Sequence, residues 1–206
     1  MRALHGRRVA LGVALVVLGV LAFALLYRPF PSDRTPEGAY MRVAHSVSED
    51  RIAAIFPYLE TDAQWASYTI RDMRASAYAR IRTSYPEPER SRMLSAYEQE
   101  AKAPDGADVF ALLARRRGWI ARLRKDLSGV VRIEVDGERA SVITARGTRY
   151  PFHRRENGIW GLTIFTADLI AESERASRDL AVVASAADDY GRANAAADAG
   201  ADTTRN

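Results

Sequence analysis

Three histidines are the side chains of this chain best suited to acid–base catalysis or metal binding: His5, His45 and His153. Neither His45 nor His153 has a second histidine at the i, i+4 spacing that would place two metal ligands on one helix face. His153 could act as a general base only beside a nucleophile and an orienting acid, and no Gly-x-Ser-x-Gly turn or similar motif supplies the nucleophile. The chain also has no cysteine, which excludes thiol chemistry and disulfides. We therefore predict no metal, no cofactor and no enzymatic activity.

A basic cluster near residue 120 could be taken for an anion-binding site. Its members are Arg115, Arg116, Arg117, Arg122, Arg124 and Lys125. At about 100° per helical residue they spread around a helix instead of gathering on one face, which favours a solvated helix with intermittent salt bridges. The alternative is a groove in which some of them surround an acidic lipid head group or peptide.

Aromatic side chains are the remaining candidates for a binding site. The predicted ligand-binding residues are Trp65, Tyr68, Tyr78, Trp119, Tyr150 and Trp160. The simplest interpretation is that these rings fill the core between helices and sheet. In the alternative, some of them line a cavity between the sheet and the helices, where an apolar or aromatic ligand binds.

An uncharged apolar segment at residues 9–27 indicates that these side chains belong to a protein located at a membrane. As a helix it would measure roughly 28 Å, close to the hydrocarbon thickness of a bilayer. Arg2, Arg7 and Arg8 precede it, so the positive-inside rule predicts a cytoplasmic N-terminus and an extracytoplasmic domain on the cell (inner) membrane. The alternative is a signal peptide cut after Ala24, which would release a secreted protein.

The basic character of the chain belongs mainly to this flank. The chain has 30 basic and 26 acidic residues, a net charge of +4. The first 27 residues hold three arginines and no acid, which leaves 27 basic groups against 26 acidic ones in the rest. A nearly neutral domain gives no argument for nucleic-acid binding.

Helix signals dominate the chain up to about residue 127. Thr35-Pro36-Glu37 predicts an N-cap, a proline in the first turn and an acid at the positive end of the dipole. Ser48 is predicted to cap a second helix, and Thr61 and Gln64 to form a capping box for a third. Further helices are predicted at about 87–102 and 107–127.

From residue 131 the apolar period changes from helical to alternating, which predicts strands. Tight turns at Asp136-Gly137, Arg146-Gly147 and Asn157-Gly158 predict four antiparallel strands in a meander, the last at 159–165. Thr166 is predicted to cap a closing helix. Its apolar positions are Leu169, Ser173, Ala176, Leu180, Val183 and Ala187. They fit either docking onto the sheet of the same chain or pairing between two copies.

The predicted fold class is therefore α+β: an N-terminal transmembrane helix, then helices packed on a four-stranded antiparallel meander with a closing C-terminal helix. We divide the chain into a cytoplasmic basic flank (1–8), a transmembrane signal-anchor (9–27), a linker (28–35), an extracytoplasmic domain (36–190) and a disordered tail (191–206).

Two short motifs carry a resemblance to a known superfamily. Thr35-Pro36-Glu37 opens the helical half, and the late turn of the meander reads Asn157-Gly158-Ile159-Trp160-Gly161-Leu162. Across residues 35–165 the chain resembles exported NTF2-like (cystatin-like) domains, and its anchored layout is similar to VirB8-type and Mce-associated envelope proteins. The resemblance implies a helix-and-curved-sheet domain and supplies no catalytic residue.

A membrane span joined to a domain without a catalytic motif predicts a membrane-anchored protein-interaction or accessory domain of the cell envelope. Its expected partners are the lipid bilayer, through residues 9–27, and an envelope protein. The alternative function is a small-molecule or lipid-binding domain that uses the aromatic cavity. Self-association through the C-terminal helix is the expected mode if the protein forms an oligomer.

Overall fold

The computed structural model describes residues 30–203 and, before them, Gly19, with side chains described up to residue 196. The chain divides into two units, Met1–Pro31 and Ser32–Asn206, and the second contains the helices and strands of the domain. Apart from Gly19, the predicted span at residues 9–27 lies outside the described residues. Among the helices that the structure does describe, none combines the length and apolarity needed to cross a membrane.

Helices make up the first half of the domain. They are α1 (Pro36–Ser48), a 3₁₀-helix (Ile52–Tyr58), α2 (Thr61–Ser84), α3 (Glu89–Ala101), α4 (Gly106–Arg116) and α5 (Trp119–Asp126). The start of α1 confirms the sequence prediction: the Thr35 side chain accepts a hydrogen bond from the Gly38 amide, Pro36 is in the first turn, and Glu37 follows it.

Two local predictions in this half are wrong. Thr61 is the first residue of α2 and Glu60 is its N-cap. The Gln64 side-chain amide donates to the Phe56 and Leu59 carbonyls instead of closing a capping box. The Ser48 hydroxyl donates to the His45 carbonyl at the end of α1, and the next element is a short 3₁₀-helix.

The predicted helix at 107–127 is two helices, α4 and α5. Gly118 separates them with φ +68°, in the left-handed region that glycine adopts without the steric cost of a Cβ. The Arg117 and Gly118 amides close the end of α4 on the Leu113 and Arg115 carbonyls. Because the helix is interrupted there, the angular positions of the basic cluster cannot be read from one continuous helix.

The second half begins with the sheet. Its strands are β1 (Val130–Asp136), β2 (Arg139–Thr144), β3 (Arg149–Arg154) and β4 (Trp160–Leu162). They lie in the order β1-β2-β3-β4 with every neighbouring pair antiparallel, which confirms the meander. β4 is shorter than the predicted 159–165. Beside it, Leu59 forms a parallel bridge to Leu162, so the chain before α2 covers that edge of the sheet.

One face of the sheet closes over the helices to form the main core. Val142, Phe152 and Leu162 from the sheet are buried with Phe110 and Leu113 from α4. Burial of several large side chains of this kind stabilises a domain by about 1.5–3 kcal/mol each. The structure thus has the predicted α+β architecture of helices packed on an antiparallel meander, followed by a long C-terminal helix.

That last helix, α6 (Thr166–Thr203), packs mainly along α2 and not on the sheet as predicted. The buried members of its apolar stripe are Leu169, Ala176, Val183 and Ala187. They are covered within the same chain, partly in a second hydrophobic cluster with Ala77 and Ile81 of α2. The helix continues to Thr203, whereas the sequence predicts a disordered tail from residue 191.

Candidate functional site

The six aromatic residues predicted from the sequence are not gathered in one cavity. Trp65 and Tyr68 lie together at an open groove, and Trp119 and Tyr150 line a second, smaller pocket. Trp160 is buried, and its indole N–H donates to the Arg34 carbonyl at 3.1 Å, which holds the chain before α1 against the sheet. Two separate places therefore remain as candidates for binding.

Tyr78, the sixth residue, lies on α2 and lines neither place. Its ring is partly covered, and the Lys102 ammonium lies 5.8 Å from the ring centroid. A cation at this distance over an aromatic face stabilises the local packing by roughly 0.5–1 kcal/mol at an exposed site. We assign Tyr78 a packing role.

The groove containing Trp65 has a volume of about 700 Å³ and runs between the start of α2 and the β3–β4 turn. Trp65 is 67% exposed, and its ring centroid is 6.2 Å from that of Tyr68. The Phe56 ring packs edge-on against the Tyr68 ring, with their centroids 5.5 Å apart, and so supports it. Gly106 also lies against it, since a Cβ there would come within 2.8 Å of the Tyr68 ring. The groove therefore combines a tyrosine ring packed against its neighbours with a tryptophan that is mostly in solvent.

Arg155 holds the opposite wall of this groove in place. Its guanidinium donates to the Pro57 carbonyl at 2.8 Å and to Gln64 Oε1 at 3.2 Å, both beside the first turn of α2. Burial of the guanidinium lowers the pKa of Arg155 from its usual value. The β3–β4 turn is thus bonded directly to the beginning of α2, which fixes the distance between the two sides of the groove.

His153 lies between the Trp65 groove and a neighbouring groove of about 540 Å³ on the sheet. Its Nδ1 is 3.1 Å from Glu60 Oε1, and the second oxygen of Glu60 accepts a hydrogen bond from the Thr166 hydroxyl at 2.8 Å. Its Nε2 lies 3.9 Å from Glu138. The orienting acid that no sequence motif indicated is therefore present.

The hydroxyl beside this acid does not complete a nucleophilic site. Thr166 donates to Glu60 and not to His153, so the histidine does not activate it. His153 is also partly exposed, with a side-chain exposure of 40%. The arrangement fixes the imidazole at the junction of two grooves, where it can donate or accept one hydrogen bond through Nε2. His45 is elsewhere, paired with Glu49 on the surface of α1, and His5 lies outside the described residues.

The second pocket, of about 290 Å³, lies between α5, β3 and the start of α6. Trp119 is stacked on Phe165 with ring centroids 4.9 Å apart, and Tyr150 lies beside them. Tyr150 is 3% exposed, and its hydroxyl has no hydrogen-bond partner among the described residues. Burial raises the pKa of Tyr150 to about 12, so this hydroxyl carries its proton at neutral pH and is available as a donor.

A buried ion network joins four helices, and no sequence motif indicated it. Arg74 is 8% exposed; it bonds Glu100 at 3.0 Å and Asp179 at 2.6 Å, and lies 3.6 Å from Glu172. Burial opposes the charge of Arg74, but the hydrogen bond to Asp179 and the nearby carboxylates raise its pKa overall. The sequence does contain a signal, because Arg74 falls four residues after Ile70 on the buried stripe of α2.

The basic cluster supplies part of this network. Arg116 donates to Glu100 and Arg117 to Glu172, while Arg115 and Arg124 both contact Asp50. These pairs agree with the predicted salt-bridged helix surface and gather no anion-binding face from those four arginines. Across the described part of the chain, no group of three acidic or histidine side chains is arranged to hold a metal ion.

Comparison with protein-family models, with curated proteins and with solved structures found no match to this chain. The case for each candidate site therefore rests on its own geometry.

Proposed function

We propose that this chain is a membrane-anchored accessory domain of the cell envelope that binds a protein partner, and that the Trp65 groove is the binding site. The observation that carries the proposal is Trp65 itself, a tryptophan with two-thirds of its surface in solvent. Burying an exposed indole of this kind on binding removes a large apolar surface from water, and tryptophan and tyrosine are enriched in the hot spots of protein interfaces.

The lining of the groove fits a polypeptide better than a lipid tail. Beside the Trp65 and Tyr68 rings it has charges of both signs, with Glu138 and Glu156 near Arg154. His153 adds an exposed nitrogen that can bond a peptide carbonyl or amide. An aromatic centre within a mixed polar rim is the usual composition of a transient protein interface.

The apolar segment at residues 9–27 supports the location that we propose. With Arg2, Arg7 and Arg8 before it, the segment would hold the domain on the extracytoplasmic side of the inner membrane. A tether of this kind confines the domain to two dimensions and raises its effective concentration near a membrane-bound partner. Cleavage after Ala24 would instead release the same domain as an exported protein. Membership of the NTF2-like superfamily remains part of the proposal, supported by the helix-and-meander architecture.

Affinity capture of the full-length protein from its own membranes tests the proposal. We expect a partner to be recovered with the wild-type chain and lost, by tenfold or more, with Trp65→Ala. Val182→Ala is the matched control, because Val182 is an equally exposed apolar side chain on a different helix, α6. Equal recovery with Trp65→Ala and wild type would contradict the assignment of the groove.

A second function, small-molecule binding, is favoured by one observation: the unpartnered hydroxyl of Tyr150. Buried polar groups without a partner are rare and costly in folded proteins. A flat apolar ligand with one hydrogen-bond acceptor, lying against Trp119, would bond this donor once the side chains that cover the hydroxyl move aside. The pocket of about 290 Å³ limits such a ligand to a small molecule.

Thermal-shift screening with small aromatic acids and ketones tests this second function. We expect a ligand to raise the melting temperature of the wild-type chain and to have a clearly smaller effect on Tyr150→Phe, which keeps the ring and removes the donor. Equal shifts in the two proteins would show that the hydroxyl takes no part in binding.

A further inference from the structure

The outer edge of β1 is open within the part of the chain that the structure describes. β1 is the first strand of the four, and it pairs with β2 on one side only. The opposite edge of the sheet differs, because Leu59 bridges to Leu162 beside β4. A seven-residue edge strand that no other described strand pairs with on its outer side can pair with a further strand.

The backbone hydrogen bonds show which residues of β1 face this open edge. The Arg154 amide bonds the Glu138 carbonyl and the Thr144 amide bonds the Thr148 carbonyl, so even-numbered residues of β2 face β3. Odd-numbered residues of β2 therefore face β1, and they pair there with Arg132, Glu134 and Asp136. The residues between these, Ile133 and Val135, direct their N–H and C=O groups away from the sheet.

The side chains at this edge are apolar and exposed. Val131 is 64% exposed and Val135 is 58% exposed, and they flank Ile133 at a distance of two residues on either side. Val131 lies at the irregularity in the β1–β2 pairing, where the register shifts between Val130 and Arg132. Exposed valines on an open strand edge are a liability unless something covers them.

The sequence of this edge is complementary to itself. When two antiparallel copies of β1 are centred on Ile133, Arg132 of each copy lies opposite Glu134 of the other. Val131 then lies opposite Val135. We propose that two copies of this chain pair through β1 about a two-fold axis at Ile133, which joins their sheets into one continuous sheet.

The pairing geometry fits the backbone as well as the charges. Ile133 would be a hydrogen-bonded pair with its own copy, and Arg132 and Glu134 would form non-hydrogen-bonded pairs, in which side chains approach most closely. In each monomer Arg132 already lies 2.7 Å from Glu134 on the outer face of the sheet. Arg149 of β3 donates to the same carboxylate at 2.6 Å, so a second copy would extend an existing row of charges.

The charges also favour this register over the two registers that are shifted by one residue in either direction. Moving the axis by one residue towards Arg132 places two arginines opposite each other, and moving it towards Glu134 places two glutamates opposite each other. Like charges directly opposite in a sheet are destabilising. The Ile133-centred register avoids both, and it fits a second copy better than an arbitrary strand of another protein.

Disulfide crosslinking of the full-length protein in its membrane tests the pairing, because the native chain contains no cysteine. Ile133→Cys would place two thiols across the axis with Cα atoms about 5.5 Å apart, within the range that a disulfide spans. We expect a dimer of twice the chain mass after mild oxidation with copper phenanthroline. Val182→Cys, on the exposed face of α6, is the control.

Either of two crosslinking results would overturn the proposal. One is a dimer with Val182→Cys and none with Ile133→Cys, which would place the contact on the C-terminal helix. The other is an Ile133→Cys adduct to a different protein, which would assign the edge to a foreign strand.

Charge exchange provides the second test. In the Ile133→Cys background, Arg132→Glu and Glu134→Arg should each reduce dimer yield by roughly tenfold, because each creates two like-charge pairs. The double exchange should restore the yield. Mixing the two single variants, carrying different tags, should give a heterodimer in preference to either homodimer.

Glu174→Arg, an exposed charge change on α6, should leave the yield unchanged. Circular dichroism melts of all variants will show whether each remains folded. Unchanged yields for both single variants, with intact melts, would overturn the self-pairing. The test is independent of the Trp65 groove, since Trp65→Ala leaves the edge of β1 untouched.

Discussion

Gly161 lies directly against the backbone of Glu60: a Cβ built on Gly161 would come 2.7 Å from the Glu60 Cα and 2.8 Å from the Leu59 carbonyl oxygen. The Glu60 amide donates to the Leu162 carbonyl at the same place. This close approach attaches the start of α2 to β4. It also places the Glu60 carboxylate beside His153.

Gly161→Ala should therefore destabilise the fold and displace Glu60 from His153. Overpacking against backbone typically costs about 1–3 kcal/mol, so we expect a lower free energy of unfolding in urea. Gly129→Ala is the matched control, because a Cβ there meets nothing within 4 Å. Similar unfolding midpoints for the two variants would contradict the contact.

Removing the buried cation of the ion network should lower the free energy of unfolding more than removing an exposed cation does. Arg74→Met removes the cation between the buried Glu100 and Glu172, which keep only arginine partners at the edge of the network. We expect a loss near the lower end of about 3–5 kcal/mol. Arg80→Met, which breaks an exposed pair with Asp188, should cost less than about 1 kcal/mol. Chemical denaturation of both variants measures the difference, and equal costs would show that the network is not a buried one.

Tyr150 should make the free energy of unfolding depend on pH in the alkaline range. The pKa of its hydroxyl is raised to about 12 in the folded protein, mainly by burial, whereas an unfolded tyrosine titrates near 10. The folded state therefore keeps a proton that the unfolded state loses, and stability falls as the pH rises from about 10 to 12, by up to roughly 2–3 kcal/mol.

Tyr150→Phe removes this titration. Its stability should fall less steeply than that of the wild type over the same pH range. At pH 8 it should equal the wild type or exceed it by about 1 kcal/mol, because an unpaired buried hydroxyl has been deleted. Denaturation curves recorded from pH 8 to 12 check both statements, and parallel slopes would contradict the raised pKa.

Trp65 should matter for binding and not for folding. Because its side chain is mostly in solvent, Trp65→Ala should change the free energy of unfolding by no more than about 0.5 kcal/mol. Trp119→Ala, at a buried and stacked ring, should cost about 3–5 kcal/mol. Thermal melts of the two variants provide the comparison. A large stability loss in Trp65→Ala would mean that the ring supports the fold.

Local signals in the sequence were sufficient for most elements of the domain. Thr35-Pro36-Glu37 carries its own helix start, and the glycine turns set the order of the meander because short connections force antiparallel neighbours. The division of one predicted helix at Gly118 was missed, because an isolated glycine in an apolar-periodic segment is also compatible with a continuous helix.

The candidate site was harder to predict from the sequence, because its residues come together only in the tertiary fold. Thr166 and Glu60 are 106 positions apart in the chain and are brought together where β4 meets the start of α2. The sequence singles out the aromatic residues by type. Their separation into an exposed groove and a buried pocket depends on helix directions that periodicity does not encode.

The ion network around Arg74 also lies at the boundary between the two hydrophobic clusters, and we expect the parts on either side of it to open separately. On α2, Ile70 belongs to the main core and Ala77 to the second cluster, with Arg74 between them. On α6, Ala176 and Val183 are divided in the same way by Asp179. Amide protons beyond this boundary should exchange with solvent at a lower opening free energy than those of the sheet. Heat would then fray the far ends of α2 and α6, together with α3, while the Trp65 groove kept its shape.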